Sequence, residues 1–268
     1  MTTRPVYIHG THPEEQDRLS LLNDLTNASF VEFMDITSGQ SVLEIGSGLG
    51  ILADTVARHL PQCEVTGVEI APQQMEKAIA NFYETPNLKF LIGDASSLGV
   101  RSSSFDIVYC RYILEHVPDP ASVLKEAFRV LKQGGKLFIQ ENNILIHTLY
   151  PDCPAYSQLL SKYAELQSQA GGDSEIGKKL FSLLKHTGFH SITLTIAPEV
   201  HYYGLPTFDL WILNSIEILR GVRTGLLKMD GVSESLFDAA ITELNCIRKD
   251  PYAAAYFYWN RAWAIKPC

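Results

Sequence analysis

Short apolar runs alternate with amphipathic segments along the first two thirds of the chain. Five runs, bounded by Gly, Pro, Asp or Ser and rich in β-branched or aromatic residues, predict β-strands at 41–45, 63–68, 88–92, 105–110 and 136–140. Apolar residues at helical spacing predict helices at 50–60, 72–83 and 119–131, the last closed by Gly134 and Gly135. This alternation predicts an α/β fold with a doubly wound, mainly parallel sheet.

The last third of the chain has a different pattern. Residues 190–196 and 255–264 resemble strands, and the second of these is a late strand of the same sheet. Between them, 208–219 and 234–247 have helical periodicity, so we interpret residues 199–250 as a helical cap over one end of the sheet. The connection 142–174 is long for a compact domain, which is typical of lids and binding elements. The domain prediction is an N-terminal segment 1–40, a core 41–198, the cap 199–250 and a final strand in 251–268.

Composition limits the partners and the cellular setting that we expect for this protein. The chain has 268 residues, 22 Lys and Arg against 30 Asp and Glu, and 46% hydrophobic residues, which is enough for a large buried core. Its formal charge of −8 argues against nucleic acid as a partner. Five cysteines at irregular spacing form no disulfide framework or metal-ligand pattern, so we expect a reduced, cytoplasmic setting and no metal. No segment has the length and apolar character of a membrane span or signal peptide.

A glycine-rich loop follows the first predicted strand and opens a helix. Gly46, Gly48 and Gly50 are spaced Gly-x-Gly-x-Gly, one residue shorter than the dinucleotide fingerprint, and Glu44 lies just upstream. Glycines let the backbone turn sharply and approach a ligand closely, whereas a neighbouring carboxylate disfavours a phosphate. The loop, including Ser47, therefore suits a ligand with an ammonium group, a ribose and an adenine but no phosphate.

Residues at the ends of three further strands could bind the same ligand. Glu69 ends the second strand, where a carboxylate can accept hydrogen bonds from both ribose hydroxyls. Asp94 and Ala95 end the third strand, where a carboxylate can accept the adenine amino group, and Arg111 ends the fourth. Doubly wound sheets bind ligands at the carboxyl ends of their parallel strands, so we expect these residues to form one site.

The runs 42–50, 67–70, 93–95, 115–119 and 129–135 together resemble the class I S-adenosylmethionine-dependent methyltransferases, and within them the broad type-11 group. The resemblance implies a Rossmann-like seven-stranded sheet with a final antiparallel strand. It also implies S-adenosylmethionine as cofactor, S-adenosylhomocysteine as product, and Ile70 beside Glu69 in the cofactor site. The flanks resemble one bacterial branch of the group, which implies that Arg18 pairs with the cofactor carboxylate while Tyr7 closes the pocket. An ion pair of Arg18 with Glu14 or Glu15 is the alternative.

In this interpretation Glu44 supports the loop or the cofactor's ammonium group, and Arg111 offers that ammonium its backbone carbonyl. Methyl transfer from a sulfonium is an in-line displacement, so the protein mainly aligns and desolvates the reactants, and a base helps a hydroxyl or ammonium acceptor. His116 is the candidate base, the alternative being packing beside Val117. Candidate substrate contacts lie on the turn after the fifth strand, the long connection and the start of the cap: Glu141, Asn142, His147, Tyr202 and Tyr203. Ordinary packing, solvation or structural hydrogen bonds are the alternatives for these residues.

The leading hypothesis is a methyltransferase acting on a small-molecule acceptor, with oxygen, nitrogen and carbon nucleophiles all open. An enzyme that modifies RNA or protein is the second hypothesis, and the acidic charge counts against it. A non-catalytic binding protein of the same fold is the third, and a nicotinamide oxidoreductase is disfavoured by the glycine spacing. Whether the protein forms a homodimer stays open.

Overall fold

A computed structural model describes residues 13–268, without the side chains of residues 13–15, 17 and 24. The helices in this range are α1 Pro13–Phe33, α2 Ile51–His59, α3 Pro72–Phe82, α4 Pro120–Val130, α5 Pro154–Gln169, α6 Leu180–Thr187, α7 Pro206–Gly221, α8 Arg223–Leu226 and α9 Glu234–Ile247. The strands are β1 Ser41–Ile45, β2 Glu64–Glu69, β3 Leu88–Ile92, β4 Phe105–Arg111, β5 Leu131–Glu141, β6 Thr148–Tyr150, β7 His190–Tyr202 and β8 Ala254–Ile265. No helix among the residues described is long and apolar enough to cross a membrane.

The strands form one sheet, in which β3, β2, β1, β4 and β5 are adjacent and parallel. β8 then pairs antiparallel with β5, and β7 pairs antiparallel with β8 along most of its length. The doubly wound α/β class and the final antiparallel strand are therefore confirmed. The sheet has eight strands where seven were predicted, because the three-residue β6 continues along β8 beyond the end of β5.

Most predicted elements agree with the structure to within two residues, with two differences around the sheet. α4 ends at Val130 because the chain enters β5 at Leu131, so Gly134 and Gly135 lie inside that strand and do not close the helix. The long connection 142–174 contains the helix α5, which buries Tyr156, Leu159 and Tyr163 in a core shared with the cap.

The cap packs as a separate hydrophobic cluster on the carboxyl side of the sheet. α7 and α9 pack with α5, and Trp211 of α7 contacts Phe257 and Trp259 of β8. The predicted cap 199–250 begins too early, because β7 continues to Tyr202, which pairs with Ala254. The helical part of the cap therefore starts at α7.

Glu141, the last residue of β5, holds the turn that follows β4. Its side chain is completely buried, and its two oxygens accept hydrogen bonds from the backbone N–H groups of Ile113, Leu114 and Glu115 at 3.0, 2.9 and 3.3 Å. Three backbone N–H groups of the turn after β4 thus donate to a side chain of the neighbouring strand β5. Glu141 lies behind the wall of the cavity described below, so the structure corrects the expectation that it contacts substrate.

We expect Glu141→Ala to lower the free energy of unfolding by about 3 kcal/mol or more, because it leaves buried amide donors without an acceptor. Urea unfolding followed by circular dichroism measures the loss. Asp119→Ala is the matched control: Asp119 also accepts two backbone N–H groups, at the exposed start of α4, and its removal costs about 1 kcal/mol. Equal losses for the two variants would contradict the structural role of Glu141.

Candidate active site

A cavity of about 320 Å³ opens at the carboxyl ends of β1 to β4. Its floor consists of the loops that follow these four strands. Its roof consists of side chains from α1, α5 and α7, with Trp259 of β8 at one side. The cavity is thus enclosed by the core on one side and by the N-terminal helix and the cap on the other.

The glycine loop forms the part of the floor next to β1. Gly46 and Gly50 have φ of +73° and +77°, and a Cβ on either would lie 2.0 Å from Ile113 or 2.5 Å from Phe90. These two glycines are therefore required by packing and by the left-handed backbone. Gly48, at φ +53°, would meet only the Gln74 side chain at 3.4 Å, so it leaves the backbone bare toward the cavity. The buried hydroxyl of Ser47 has no hydrogen-bond partner among the described residues.

Glu69 and Asp94 hold their carboxylates at the ends of β2 and β3. The Glu69 oxygens accept the backbone N–H groups of Gly48 at 2.9 Å and Ala71 at 2.8 Å, and its side chain is largely buried at the cavity wall. In Asp94, Oδ1 accepts both the backbone N–H and the hydroxyl of Ser96. Each carboxylate is thus fixed by the chain and keeps lone pairs for hydroxyl or amino donors of a ligand.

Glu44 is a buried carboxyl group in the cavity wall. It accepts a hydrogen bond from the Tyr109 hydroxyl at 3.2 Å. Burial raises the pKa of Glu44 to about 8, although the positive charge of Arg111 opposes this. Glu44 is therefore largely protonated at neutral pH until a cation enters the cavity.

Arg111 ends β4, and its guanidinium group holds α1 over the cavity. It donates to three side-chain oxygens of α1: those of Asn23, Thr26 and Asn27. The guanidinium also lies 5.6 Å from the centre of the Phe30 ring and 5.1 Å from the centre of the Tyr112 ring. The side chain of Arg111 is thus engaged with the roof.

Tyr112 and Trp259 form an aromatic wall that sequence analysis missed. Tyr112 has φ +59°, which costs a non-glycine residue about 1–2 kcal/mol. Its hydroxyl accepts from Gln140 at 2.6 Å, and its ring centre lies 4.6 Å from that of Trp259. The Trp259 indole in turn donates to Glu199 at 3.0 Å. Strained residues persist where surrounding contacts hold them, often at functional sites.

Polar groups line the cavity at the turn after β4 and at the end of β5. Glu115 is 4% exposed, accepts from the Gln167 amide at 3.3 Å and lies 3.7 Å from the His116 ring. Asn142 also lines the cavity, and its Oδ1 is buried with no partner among the described residues. These oxygen atoms keep lone pairs for further hydrogen-bond donors.

The structure brings most of the predicted site residues to this cavity: Arg18, Glu44, Gly46, Ser47, Gly48, Glu69, Ile70, Asp94, Ala95, Arg111, His116 and Asn142. Gly50 supports the loop from behind, against Phe90. Tyr7 lies outside the described residues. Arg18 donates to Asn214 of the cap at 3.1 Å, a contact that sequence analysis did not foresee.

Besides Glu141, three predicted substrate contacts lie away from the cavity. His147 contacts the Tyr156 hydroxyl and accepts from the Trp211 indole at 3.0 Å, and burial lowers its pKa to about 4. It is therefore a neutral part of the cap's core. Tyr202 and Tyr203 are about half exposed at the end of β7 and do not line the cavity, because β7 carries them to the outer edge of the sheet.

The structure adds cavity residues that were not among the predicted site residues: Tyr112, Glu115, Tyr163, Asn214, Ile218 and Trp259. Glu115 and Tyr112 could have been predicted from the sequence, because they lie next to His116 and Arg111, just after a predicted strand. The others lie on helices and a strand whose placement depends on how the cap packs.

Comparisons with known proteins show which proteins this chain is similar to. The family model of the type-11 group, described as a methyltransferase domain, matches residues 43–139. The ubiquinone biosynthesis O-methyltransferase of Albidiferax ferrireducens is 41% identical over 109 residues, 40% of this chain and 42% of that protein. The demethylmenaquinone methyltransferase of Lactococcus lactis is 33% identical over 144 residues, 53% of this chain and 55% of that protein. The chain thus spans about half the length of the curated relatives it matches.

Among solved structures, phosphoethanolamine N-methyltransferase 2 of Haemonchus contortus, in complex with S-adenosylhomocysteine, superposes with a TM-score of 0.60. It is 21% identical and covers 91% of this chain and 53% of its own, a level of similarity that shows the fold. Residues 43–139 therefore match a methyltransferase domain, and the chain has the Rossmann-like fold of the S-adenosylmethionine-dependent methyltransferases.

Proposed function

We propose that this protein is an S-adenosylmethionine-dependent methyltransferase that transfers a methyl group to an oxygen, nitrogen or carbon nucleophile of a small molecule. The observation that carries the proposal is the composition of the cavity. Its lining combines a bare glycine loop and fixed carboxylates with aromatic and polar residues under a helical roof. Two ligands of different chemistry would meet in such a space.

The residues on the loop side fit the cofactor. Gly48 would admit the close approach of the ligand, and Glu69, held by two amide N–H groups, would accept the ribose hydroxyls. Asp94 would accept the adenine amino group. Glu44 and the Arg111 carbonyl would receive the ammonium group. When bound, S-adenosylmethionine supplies a methyl group on a positively charged sulfur whose thioether leaves neutral. The protein's main contribution is then to align the acceptor with that methyl group and exclude water.

The acceptor would lie between the Tyr112 and Trp259 wall and the roof. The Glu115 carboxylate and Asn142 Oδ1 would accept its N–H or O–H groups. His116, beside Glu115, would take a proton from the nucleophile when the acceptor is a hydroxyl or an ammonium. Glu115 would orient the ring of His116.

The enclosed roof and the net charge of −8 favour a small acceptor over RNA or a protein surface. The two curated relatives are named for ubiquinone biosynthesis and for demethylmenaquinone, which supports an acceptor of metabolite size. Incubation of the protein with methyl-labelled S-adenosylmethionine and separate metabolite, protein and RNA fractions tests the class of acceptor. Label in a metabolite supports the proposal, and label confined to RNA or protein contradicts it.

We expect Glu69→Ala to weaken binding of S-adenosylhomocysteine by about 1–3 kcal/mol, because the ribose loses hydrogen bonds to a charged acceptor. Isothermal titration calorimetry measures the change, and 5′-methylthioadenosine, which keeps the ribose, should lose affinity to the same extent. Glu64→Ala, at the exposed start of the same strand, is the matched control and should bind both ligands normally. Unchanged affinity in Glu69→Ala would show that the ribose lies elsewhere.

We expect the affinity for S-adenosylhomocysteine to rise between pH 6 and pH 8. Because the pKa of Glu44 is raised to about 8, the ligand-free site holds a neutral carboxyl, and entry of the ammonium group favours loss of that proton. Calorimetry in buffers of different ionisation enthalpy measures the number of protons that are released when the ligand binds. Glu44→Gln should remove the dependence on pH, and 5′-methylthioadenosine, without an ammonium group, should never show it. A pH dependence that persists in Glu44→Gln would assign it to another group.

For a hydroxyl or ammonium acceptor, we expect His116→Ala to lower kcat by roughly 10²–10⁴-fold, because the nucleophile loses its base. Affinity for S-adenosylhomocysteine should stay unchanged, which separates a chemical defect from a defect in cofactor binding. Labelled-methyl transfer to the acceptor found in the metabolite screen measures kcat. A kcat within threefold of the wild type would remove His116 from the mechanism.

A further inference from the structure

An apolar surface lies uncovered on the face of the sheet that points away from the cap. Successive side chains of a strand point to opposite faces, and Ala197 of β7 and Phe257 of β8 are buried in the core of the cap. The alternate positions therefore point the other way. Six large side chains at these positions, on β6, β7 and β8, are 48–61% exposed: Tyr150, Leu194, Ile196, Val200, Tyr202 and Tyr256. We call this surface the β7 face.

Strand pairing makes the β7 face continuous. Tyr202 of β7 and Tyr150 of β6 both pair with Ala254 of β8, so two exposed rings flank one small residue. In the next row, Val200 pairs with Tyr256. Along β7 the surface extends over about 27 Å, at about 3.4 Å per residue. The two outer tyrosines thus border a recess at Ala254.

The helices on this side of the sheet stop short of the β7 face. α6 packs on β8 where Ala262 and Ala264 join Leu180 and Leu184 in a core shared with α4. None of the six side chains belongs to a hydrophobic cluster of the described residues. At about 200 Å² for a whole tyrosine, the six expose on the order of 600 Å². A monomeric protein rarely exposes a contiguous apolar patch of more than a few hundred Å², so a patch of this size indicates a contact surface.

The β7 face carries no charged group. Thr148, Pro198 and Tyr258 also point outward in its rows, and none of them is acidic or basic. β7 has no Lys or Arg, and its one carboxylate, Glu199, points to the cap side, where it accepts from the Trp259 indole. Exposed edge strands of monomers are typically protected by charges such as Lys. With a net charge of −8 on each chain, two copies would approach with the least repulsion through an uncharged surface of this kind.

We propose that the β7 face is the interface of a homodimer, in which a second copy of this chain covers it with its own β7 face. A two-fold axis brings the same surface of both chains together, so the surface must complement itself. It is uncharged and apolar, and the recess at Ala254 can receive a tyrosine ring of the partner subunit. A standard interface buries about 800 Å² of each chain, and the six side chains with their outward-pointing neighbours come close to that area. None of the six lines the cavity, so the inference is independent of the proposed function.

Sedimentation equilibrium of the full chain from about 1 to about 100 μM tests the dimer, because interfaces of standard size associate at micromolar concentrations or below. The wild-type protein should have twice the 29.9 kDa mass of one chain. Val200→Lys should raise the dissociation constant about a hundredfold or more, because the interface would have to bury an unpaired charge. Tyr256→Lys should do the same from the neighbouring strand. Each substitution makes the chain less negative, so general repulsion between the copies cannot explain the loss.

Thr193→Lys is the matched control. Thr193 is exposed on β7 like Val200, but it occupies an alternate position, so its side chain points to the opposite face. This variant should remain a dimer with the dissociation constant of the wild type. Circular dichroism should show that each variant is folded. The thermal midpoint should rise with protein concentration in the wild type and in Thr193→Lys but not in Val200→Lys.

A wild-type protein that stays monomeric throughout this range would overturn the inference, and its cosedimentation with uncharged phosphatidylcholine vesicles would assign the β7 face to a lipid surface instead. A dimer that survives both Val200→Lys and Tyr256→Lys, or that Thr193→Lys dissociates equally, would place the interface elsewhere and also overturn it. Dissociation by the two substitutions on the β7 face alone supports the homodimer. Binding of S-adenosylhomocysteine to the same samples tests the proposed function separately, so that either idea can fail without the other.

Discussion

The site depends on how several carboxylates are held at one edge of a parallel sheet. Parallel order places the ends of β1, β2 and β3 side by side, and each strand brings an acidic residue: Glu44, Glu69 and Asp94. Like charges at short range repel one another, so each group is stabilised differently. Burial keeps Glu44 largely protonated, backbone N–H groups hold Glu69, and Ser96 holds Asp94. The edge thus combines two carboxylates fixed by hydrogen bonds with one carboxyl group whose pKa is raised by burial.

The roof follows from a second set of contacts that begins at the same edge. Arg111 leaves β4 and fastens α1 through three side-chain oxygens, while Arg18 on α1 reaches Asn214 of the cap. Buried Glu141 fixes the turn that carries Glu115 and His116 into the cavity. The floor, the turn after β4 and the roof are therefore connected by polar contacts to the carboxyl ends of β4 and β5, which explains how a cavity between distant segments keeps a defined shape.

The floor was predictable from sequence because its residues are local to strand ends. The glycine spacing and the carboxylates at the ends of β1, β2 and β3 mark it without knowledge of tertiary contacts. The roof was not predictable, since Asn214, Tyr163 and Trp259 come together only through packing of the cap. Glu141 and His147 show the opposite error. Both were predicted to contact substrate, but both are buried and accept hydrogen bonds inside the protein. The hydrophobic periodicity of the sequence cannot reveal such a role. β7 extends farther than its pattern suggests because pairing with β8 stabilises residues 197–202 as strand.

The central claim is that this edge of the sheet recognises an adenosyl ligand without a pyrophosphate. Parallel calorimetric titrations of the wild-type protein with S-adenosylhomocysteine and with NADH test it most directly, because both ligands contain adenosine and ribose while only NADH carries the phosphates. The account predicts one molecule of S-adenosylhomocysteine bound per chain and no saturable binding of NADH. Saturable binding of NADH together with no binding of S-adenosylhomocysteine would contradict it.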